Sequence, residues 1–165
     1  MSEKSNNHFD LLIKNGVVAT TAFTSSSDIG IKNGKIVALG SLSQKSAAET
    51  LDANGLHILP GVIDSQVHFR EPGNEHKEDM ESGSRAAILG GVTTVFEMPN
   101  TSPSTTTEEA FNDKLRRAIN RYHCDYAFFV GASPENIPNL PLLERMPGCS
   151  GVKIFMGSST GTLLI

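Results

Sequence analysis

The chain has 165 residues, of which 38% are hydrophobic and 19% charged, and its formal net charge is −4. This composition is typical of a soluble globular protein, and the acidic balance without basic blocks argues against nucleic acid or an anionic membrane surface as its main partner. No run approaches the roughly 18 apolar residues of a membrane span, and the first residues lack the apolar core of a secretion signal. The two cysteines have no metal-binding spacing, which indicates free thiols. We therefore expect a cytoplasmic protein.

Residues 1–57 predict short β-strands. An Asn-Gly pair lies between apolar runs at residues 15–16 and again at 33–34. Such a pair between two apolar runs predicts a β-hairpin turn. We therefore expect residues 1–57 to form a small β-rich module.

After residue 57 the pattern changes to alternating strands and helices. An apolar strand over 56–64 is interrupted at Pro60-Gly61, a helix is predicted over 78–89, and a β-branched strand follows over 91–98. Gly90-Gly91 is a typical helix stop.

A second helix follows, with a capping box predicted from Thr105 and Glu108 or from Thr106 and Glu109. Apolar side chains then recur at helical spacing, at Phe111, Leu115, Ala118, Ile119 and Tyr122. The remaining elements are a strand over 125–131, a helical turn opening at Ser133-Pro134, and a strand over 150–157.

Strands alternating with helices indicate parallel β/α units. The predicted fold is α/β: the N-terminal part of a (β/α)8 TIM barrel over residues 58–165, preceded by the β-rich module. A doubly wound sheet is the alternative. The sequence ends in an apolar G-T-L-L-I without a terminal helix, and we expect it to be the first half of a longer barrel.

Polar residues follow each predicted parallel strand at its carboxyl end, where parallel α/β folds place their chemistry. His68 and Arg70 follow L-P-G-V-I, Asn100 follows V-F-E-M-P, and small or hydroxyl residues follow the last two strands at 131–133 and 157–159. If the stretch D-S-Q-V-H-F-R continues as a strand, alternation places Gln66, His68 and Arg70 on one face.

Each of these residues has a structural reading beside a functional one. His68 is either a hydrogen-bonded histidine at a strand end or a metal ligand. Arg70 either pairs with Glu71 or presents its planar fork to a substrate carboxylate. Asn100 is either a turn residue or a hydrogen-bonding partner for a substrate carboxylate or amide.

Lys153 lies inside the apolar stretch G-V-K-I-F-M. A buried lysine loses its charge easily because desolvation lowers its pKa. The neutral amine can add carbon dioxide and become a carbamate, an anionic ligand that can bridge two metal ions. The alternative is a lysine whose ammonium extends outward to solvent.

Three blocks together resemble a dihydroorotase, a cyclic amidohydrolase of the urease-like superfamily. They are L-P-G-V-I-D-S-Q-V-H-F-R-E-P-G with H-K-E-D, then G-G-V-T-T-V-F-E-M-P-N-T-S-P-S-T-T, then G-V-K-I-F-M-G-S-S-T-G. The resemblance implies a zinc-dependent barrel with one or two metal ions. It further implies a small β-sandwich built from both chain ends, so that residues 1–57 would supply strands of an incomplete β-sandwich. It also implies the interconversion of N-carbamoyl-aspartate and dihydroorotate in pyrimidine biosynthesis.

The resemblance also assigns roles to individual residues. His68 matches the second histidine of an H-x-H metal motif, Arg70 and Asn100 match residues that hold the substrate carboxylate, and Lys153 matches the carbamate lysine. Gln66 stands where the first histidine of the motif is expected, and its neutral amide oxygen is a poor zinc ligand. The catalytic aspartate of the family and its further metal histidines are expected beyond residue 165.

Two other functions remain open at this point. One is a related cyclic amidohydrolase, such as a dihydropyrimidinase, hydantoinase or allantoinase. The other is a non-catalytic dihydroorotase-like scaffold that supports aspartate transcarbamoylase, a possibility raised by Gln66. Arg70 and Asn100 argue for a small-molecule substrate bearing a carboxylate, which favours the dihydroorotase. We expect a homo-oligomer, with aspartate transcarbamoylase as a partner in the scaffold case, and neither nucleic acid nor membrane as partner.

Overall fold

The structure is a computed structural model that describes residues 8–157 and 163–164. Its backbone contacts divide the chain into two compact units, Met1–Pro60 and Gly61–Ile165. Ser158 and Ser159, predicted to follow the last strand, lie outside the described residues. Within the described ranges, no helix has the length and apolarity needed to cross a membrane.

The first unit contains two β-sheets. The four-stranded sheet has the order β5-β4-β1-β6, and it consists of β1 (His8–Lys14), β4 (Asp28–Lys32), β5 (Lys35–Gly40) and β6 (Ser46–Asp52). The three-stranded sheet has the order β3-β2-β7, and it consists of β2 (Val17–Ala19), β3 (Thr24–Ser26) and β7 (His57–Ile58). The buried apolar side chains of this unit come from both sheets and their loops: Leu12, Val18, Ile29, Leu42 and Ala53.

The two Asn-Gly pairs have different outcomes. Asn33 and Gly34 have φ values of 52° and 71° between the antiparallel strands β4 and β5, which fits a type I′ hairpin turn and confirms that prediction. The hairpin predicted at Asn15-Gly16 is wrong, since β1 already pairs with β4 and β6 and leaves no edge for β2. Asn15 instead donates its backbone N–H to Asp28 (3.1 Å) as the chain passes to the other sheet.

The second unit is a parallel sheet with helices between its strands, as predicted. The sheet order is β8-β9-β10-β11, with β8 (Val62–Val67), β9 (Val92–Glu97), β10 (Asp125–Gly131) and β11 (Cys149–Lys153). All three strand pairs are parallel. The helices are α1 (Met80–Leu89), α2 (Glu108–Ala118) and α3 (Leu140–Leu143), the last preceded by a 3₁₀ turn (Ile137–Asn139).

The start of α2 differs from the predicted capping boxes. The N-cap is Thr107, whose side-chain oxygen accepts the backbone N–H of Ala110 at 3.2 Å. Thr105 is fully buried and its backbone is used elsewhere, because its N–H donates to Pro99 and its carbonyl accepts from Gly131. The helix also ends at Ala118, so the predicted continuation through residues 119–122 is wrong.

The helical turn predicted at Ser133-Pro134 begins later, at Ile137. The Asn136 side chain explains the delay, because its amide oxygen accepts the Ser133 N–H at 2.8 Å. Its amide nitrogen donates to the carbonyls of Thr106 (2.7 Å) and Gly131 (2.8 Å). These three bonds hold residues 133–136 as a non-helical turn against the loop that precedes α2.

The core of this unit lies between the sheet and its helices. Its buried members are Met80, Phe111, Ala118, Phe128, Val130 and Leu143. The rings of Phe111 and Phe128 pack edge to face at 6.3 Å, which places the Phe128 side of the sheet against α2.

A charged pair is buried inside this apolar layer. Lys114 Nζ lies 3.1 Å from Glu97 Oε2, and both side chains are almost completely buried. Lys114 also donates to the carbonyl of Met98 (3.3 Å), and Tyr122 donates its hydroxyl to Glu97 (3.4 Å). Burial raises the pKa of Glu97 and lowers the pKa of Lys114, so each charge depends on the other to offset its desolvation.

We expect Lys114→Met to lower the free energy of unfolding by about 3–5 kcal/mol, because it leaves Glu97 buried without a counter-charge. Replacing both partners, as Glu97→Leu with Lys114→Met, should recover most of that loss. Urea unfolding measures both changes. Arg116→Met is the matched control, since Arg116 is exposed on the same helix and pairs only with Asp113 among the described residues; a Lys114→Met loss no larger than the control's would contradict the role of the pair.

Candidate functional site

The parallel pairing brings the predicted site residues to one edge of the sheet. His68 follows β8, Asn100 lies three residues beyond β9, and Lys153 is the last residue of β11. Asn100 contacts the His68 ring, and the positive charges of Arg70 and Lys153 lower the pKa of His68. These four residues, called the cluster below, follow the strands at their carboxyl ends, where α/β proteins bind their ligands.

The register shows which face Lys153 occupies. Glu97 pairs with Phe128, and both point toward α2. Phe96 and Phe129 therefore point to the opposite face, where their rings lie 6.5 Å apart. Gly131 follows Phe129 by two residues and pairs with Lys153, so Lys153 lies on the face away from the helices.

The expectation that Gln66, His68 and Arg70 share one strand face is not met. The strand β8 ends at Val67, and its pairing with β9 is irregular between Asp64 and Val67. Gln66 is exposed, and its backbone N–H donates to the Asp64 carboxylate at 3.0 Å. Arg70 has a φ of 56°, so loop geometry rather than strand alternation positions its side chain.

His68 is partly buried among cations. Burial is the largest influence on the ring and lowers its pKa below 6.5, and the positive charges of Arg70, Lys153 and Lys114 act in the same direction. Asn100 raises the pKa of His68. Only a hydrogen-bond acceptor stabilises the protonated imidazole, so the amide oxygen of Asn100 is the atom that faces the ring. At neutral pH the His68 imidazole is therefore uncharged and able to accept a proton or a metal bond.

Asn100 carries an unusual buried acceptor. The residue is only 8% exposed, and its Oδ1 atom lies near the His68 ring but forms no well-aligned hydrogen bond with any described residue. The loop around it is well fixed, because Met98 N–H donates to Val67 (3.0 Å) and Thr105 N–H donates to Pro99 (2.9 Å). Because unpaired buried acceptors are costly, this atom needs a donor, which either the neighbouring His68 ring or a ligand can supply.

Arg70 has no acidic partner within 4 Å in the described part of the chain. The reading in which it pairs with Glu71 is wrong, because the Glu71 carboxylate binds Arg121 at 2.6 and 2.9 Å. The Arg70 guanidinium is thus available to an anionic group of a ligand.

Lys153 is less buried than the sequence predicts. Every residue of β11 is partly exposed, and Lys153 Nζ lies 5.3 Å from the centroid of the Phe155 ring. The fully buried lysine is instead Lys114, which the sequence reading overlooked.

The described residues do not complete a metal site by themselves. None of them form a group of three or more His, Cys, Asp or Glu side chains that could hold a metal ion. His68 offers one imidazole, Gln66 a weak amide oxygen, and Lys153 an amine that binds metal only after carbamate formation. A tetrahedral zinc site needs more donors than this set supplies.

The sequence patterns did not reveal the charges behind the cluster, which are the buried Glu71, Glu97 and Lys114 and the partly exposed Arg121. Two of the four, Lys114 and Glu97, could have been recognised from the sequence. Lys114 lies three residues after Phe111 and four before Ala118, on the apolar stripe of α2. Glu97 ends a strand whose other residues are apolar or β-branched. A charge on each of two packed apolar faces predicts a buried pair.

Comparison with known proteins agrees with this geometry. A model of the family described as dihydro-orotase-like matches residues 55–138, which is half of the chain and includes β8, β9, β10 and the loops that carry His68, Arg70 and Asn100. The chain belongs to this family. The family assignment covers the residues after β8 and β9, whereas Lys153 lies beyond the matched range.

Three similar proteins show how broad the family is. An allantoinase of Deinococcus radiodurans is 39% identical over 151 residues, which is 91% of this chain and 34% of the relative. The multifunctional protein CAD of Squalus acanthias is 41% identical over 119 residues, which is 72% of this chain and 5% of that protein. The L-hydantoinase (dihydropyrimidinase) of Arthrobacter aurescens superposes with a TM-score of 0.88 and 33% identity over 95% of this chain and 35% of its own.

The chain thus spans about a third of the length of the allantoinase and of the L-hydantoinase. These relatives are cyclic amidohydrolases by name, so the hydrolase family is shown. They do not distinguish among dihydroorotate, hydantoin and allantoin as the substrate.

We expect the imidazole of His68 to titrate below 6.5 in the intact chain. Asn100→Ala should lower the pKa further, because it removes the acceptor that favours the charged ring, whereas Arg70→Met should raise it by removing a neighbouring cation. The measurement is an NMR titration of the histidine ring protons, with the other histidines as internal references. A His68 midpoint at or above 6.5, or equal shifts in both variants, would contradict the proposed neighbours.

Because the folded-state pKa of His68 is lowered, the unfolded chain binds more protons between that pKa and 6.5. His68 therefore lowers the free energy of unfolding as the pH falls through 6.5 toward the folded-state pKa, and it has no such effect above 6.5. In His68→Asn, the free energy of unfolding should change less with pH over this range, as measured by urea unfolding at a series of pH values.

Proposed function

We propose that this chain is the N-terminal part of a dihydroorotase, which interconverts N-carbamoyl-aspartate and the cyclic amide dihydroorotate. In this proposal Arg70 binds the ring carboxylate with its planar fork. Asn100 donates its NH₂ group toward the same carboxylate and accepts a ring N–H with Oδ1. The family assignment supports the class of reaction, and these two side chains suggest which cyclic amide is bound.

The observation that carries the proposal is that the Arg70 guanidinium has no acidic partner within 4 Å among the described residues. An anionic group of a ligand can supply that partner. The Oδ1 atom of Asn100 forms no well-aligned hydrogen bond with the described residues, so it can accept the N–H of a cyclic amide, which a carboxylate cannot offer. Dihydroorotate carries both an amide N–H and a carboxylate on one small ring, and it therefore matches both groups.

His68 and Lys153 would contribute ligands to zinc in this proposal. An uncharged imidazole and a lysine carbamate are both suitable donors, and bound zinc would supply a water of lowered pKa and polarise the ring carbonyl. The remaining donors must come from residues other than those described. The roles that the chain's own residues support are holding the carboxylate with Arg70 and orienting the ring with Asn100.

Hydantoin or allantoin is the second candidate substrate. It is favoured by the allantoinase and L-hydantoinase relatives, which match more than nine-tenths of this chain. Both rings offer an N–H to Asn100, but neither carries a ring carboxylate for Arg70. Arg70 is therefore the residue that discriminates between the two candidates.

A non-catalytic scaffold for aspartate transcarbamoylase is the third possibility, and Gln66 is the observation that favours it. If the motif lost its first histidine because metal binding is no longer needed, the protein would keep a ligand pocket without hydrolysis. We propose a homo-oligomer for either the enzyme or the scaffold.

We expect the full-length protein to turn over dihydroorotate faster than hydantoin or allantoin. Arg70→Met should lower kcat/KM for dihydroorotate by roughly 10- to 100-fold, because a charged hydrogen-bonded pair contributes about 1.5–3 kcal/mol. Its effect on hydantoin and allantoin should be small. Faster turnover of hydantoin or allantoin by the unaltered protein would reject dihydroorotate as the substrate.

We expect Gln66→His to tighten zinc binding by about tenfold or more, since it adds an imidazole two residues from His68. Zinc binding can be followed by calorimetry on the metal-free protein, which requires no catalysis. Gln66→Asn is the matched control, because it keeps an amide. Equal zinc affinity in all three proteins would show that position 66 does not face the metal.

A further inference from the structure

We infer that Arg121 is a positioning residue for the ligand-binding site: it fixes Arg70 through the buried carboxylate of Glu71. The inference rests on the proposed role of Arg70 as the carboxylate-binding group. It concerns a residue outside the cluster, at the end of the α2 segment, which neither the family assignment nor the sequence motifs single out.

The first step is the contact between Arg121 and Glu71. Glu71 is 2% exposed, and its two carboxylate oxygens accept from Arg121 Nη1 at 2.6 Å and Nη2 at 2.9 Å. Two parallel N–H···O bonds between a guanidinium and a carboxylate fix both distance and plane. The bond to Glu71 is also the main reason why the pKa of Arg121 is raised.

Glu71 connects more than one element. Its Oε2 atom also accepts the backbone N–H of Met80, the first residue of α1, at 3.1 Å. The carboxylate therefore ties the segment after β8 to the N-terminus of α1 and to the chain that follows α2. Arg117 contributes less, since its Nη1 lies 3.7 Å away and its Nε binds Asp113 at 2.6 Å.

The second step is the backbone of Arg70, the immediate neighbour of Glu71. Its φ of 56° is in the left-handed region, which a non-glycine residue adopts only where surrounding contacts fix it. The carbonyl of Arg70 accepts the N–H of Asn74 at 2.9 Å. These two constraints, together with the Glu71 carboxylate, fix the backbone from which the Arg70 side chain extends.

The third step links Arg70 to the loop of Asn100. The carbonyl of Pro72 accepts the backbone N–H of Ser102 at 2.9 Å. Gly73 has a φ of 100°, and any β-carbon at this position would collide with the Ser102 carbonyl oxygen. The two ligand-binding loops are thus docked directly on each other, and Arg121 holds this assembly from the helix side.

The test compares binding of two ligands to the full chain by calorimetry. Dihydrouracil is the ring of dihydroorotate without its carboxylate, so it reports everything except the contact with Arg70. We expect Arg121→Met to weaken dihydroorotate binding about tenfold or more while changing dihydrouracil binding less than twofold. Arg121→Lys should restore part of the loss, because an ammonium keeps the charge but not the two-point contact.

Arg116→Met is the matched control on α2, with no expected effect on either ligand. Arg70→Met should weaken dihydroorotate alone, and adding Arg121→Met to it should cause little further loss. The inference is overturned if Arg121→Met leaves dihydroorotate binding unchanged while Arg70→Met weakens it, or if Arg121→Met weakens both ligands equally.

Hydrogen exchange at the Asn74 amide separates this inference from the proposed function. If Arg70→Met does not change dihydroorotate binding, or no dihydroorotate binds, the proposed substrate is wrong. In that case, the exchange rate at Asn74 is the test of the positioning role of Arg121. Faster exchange at Asn74 in Arg121→Met but not in Arg116→Met supports it, and equal rates in both variants overturn it.

Discussion

Parallel pairing of β8, β9, β10 and β11 is the constraint on which the candidate site depends. Each strand pair runs in the same direction, so the chain leaves every strand at the same edge of the sheet. The loops after β8 and β9 then become neighbours and bond to each other through Pro72 and Ser102. The buried carboxylates of Glu71 and Glu97 bind groups on the helix side, and the candidate residue Lys153 lies on the opposite face.

The order of elements in the second unit could be predicted from hydrophobic periodicity and turn residues, because each strand and helix there has a local signal. The predictions that failed depend on non-local partners. Asn15-Gly16 has the same local chemistry as Asn33-Gly34, yet only the second is a hairpin, since β1 has both edges occupied. Similarly, the sequence favours Thr105 or Thr106 as the cap of α2, because each has a glutamate three residues later. The cap is instead Thr107, since the backbone of Thr105 is buried and bonded to Pro99 and Gly131.

The candidate site was predictable in part for the same reason. His68 and Asn100 could be predicted as site residues, because each is a polar residue that follows an apolar run at the end of a strand. The buried partners of the site were not, because the pairing of Glu71 with Arg121 spans 50 residues and has no local pattern. The sequence also suggested that Lys153 is the desolvated lysine, whereas the tertiary packing buries Lys114 and leaves Lys153 partly exposed.

The central claim is that Arg70 and Asn100 together bind a small cyclic amide that carries a carboxylate. The most direct measurement is a titration of dihydroorotate into the ¹⁵N-labelled chain, following the Nε–H of Arg70 and the side-chain NH₂ of Asn100 by NMR. The account predicts that both signals shift and saturate with a single dissociation constant. Signals of Arg70 and Asn100 that stay unchanged at saturating ligand would contradict it.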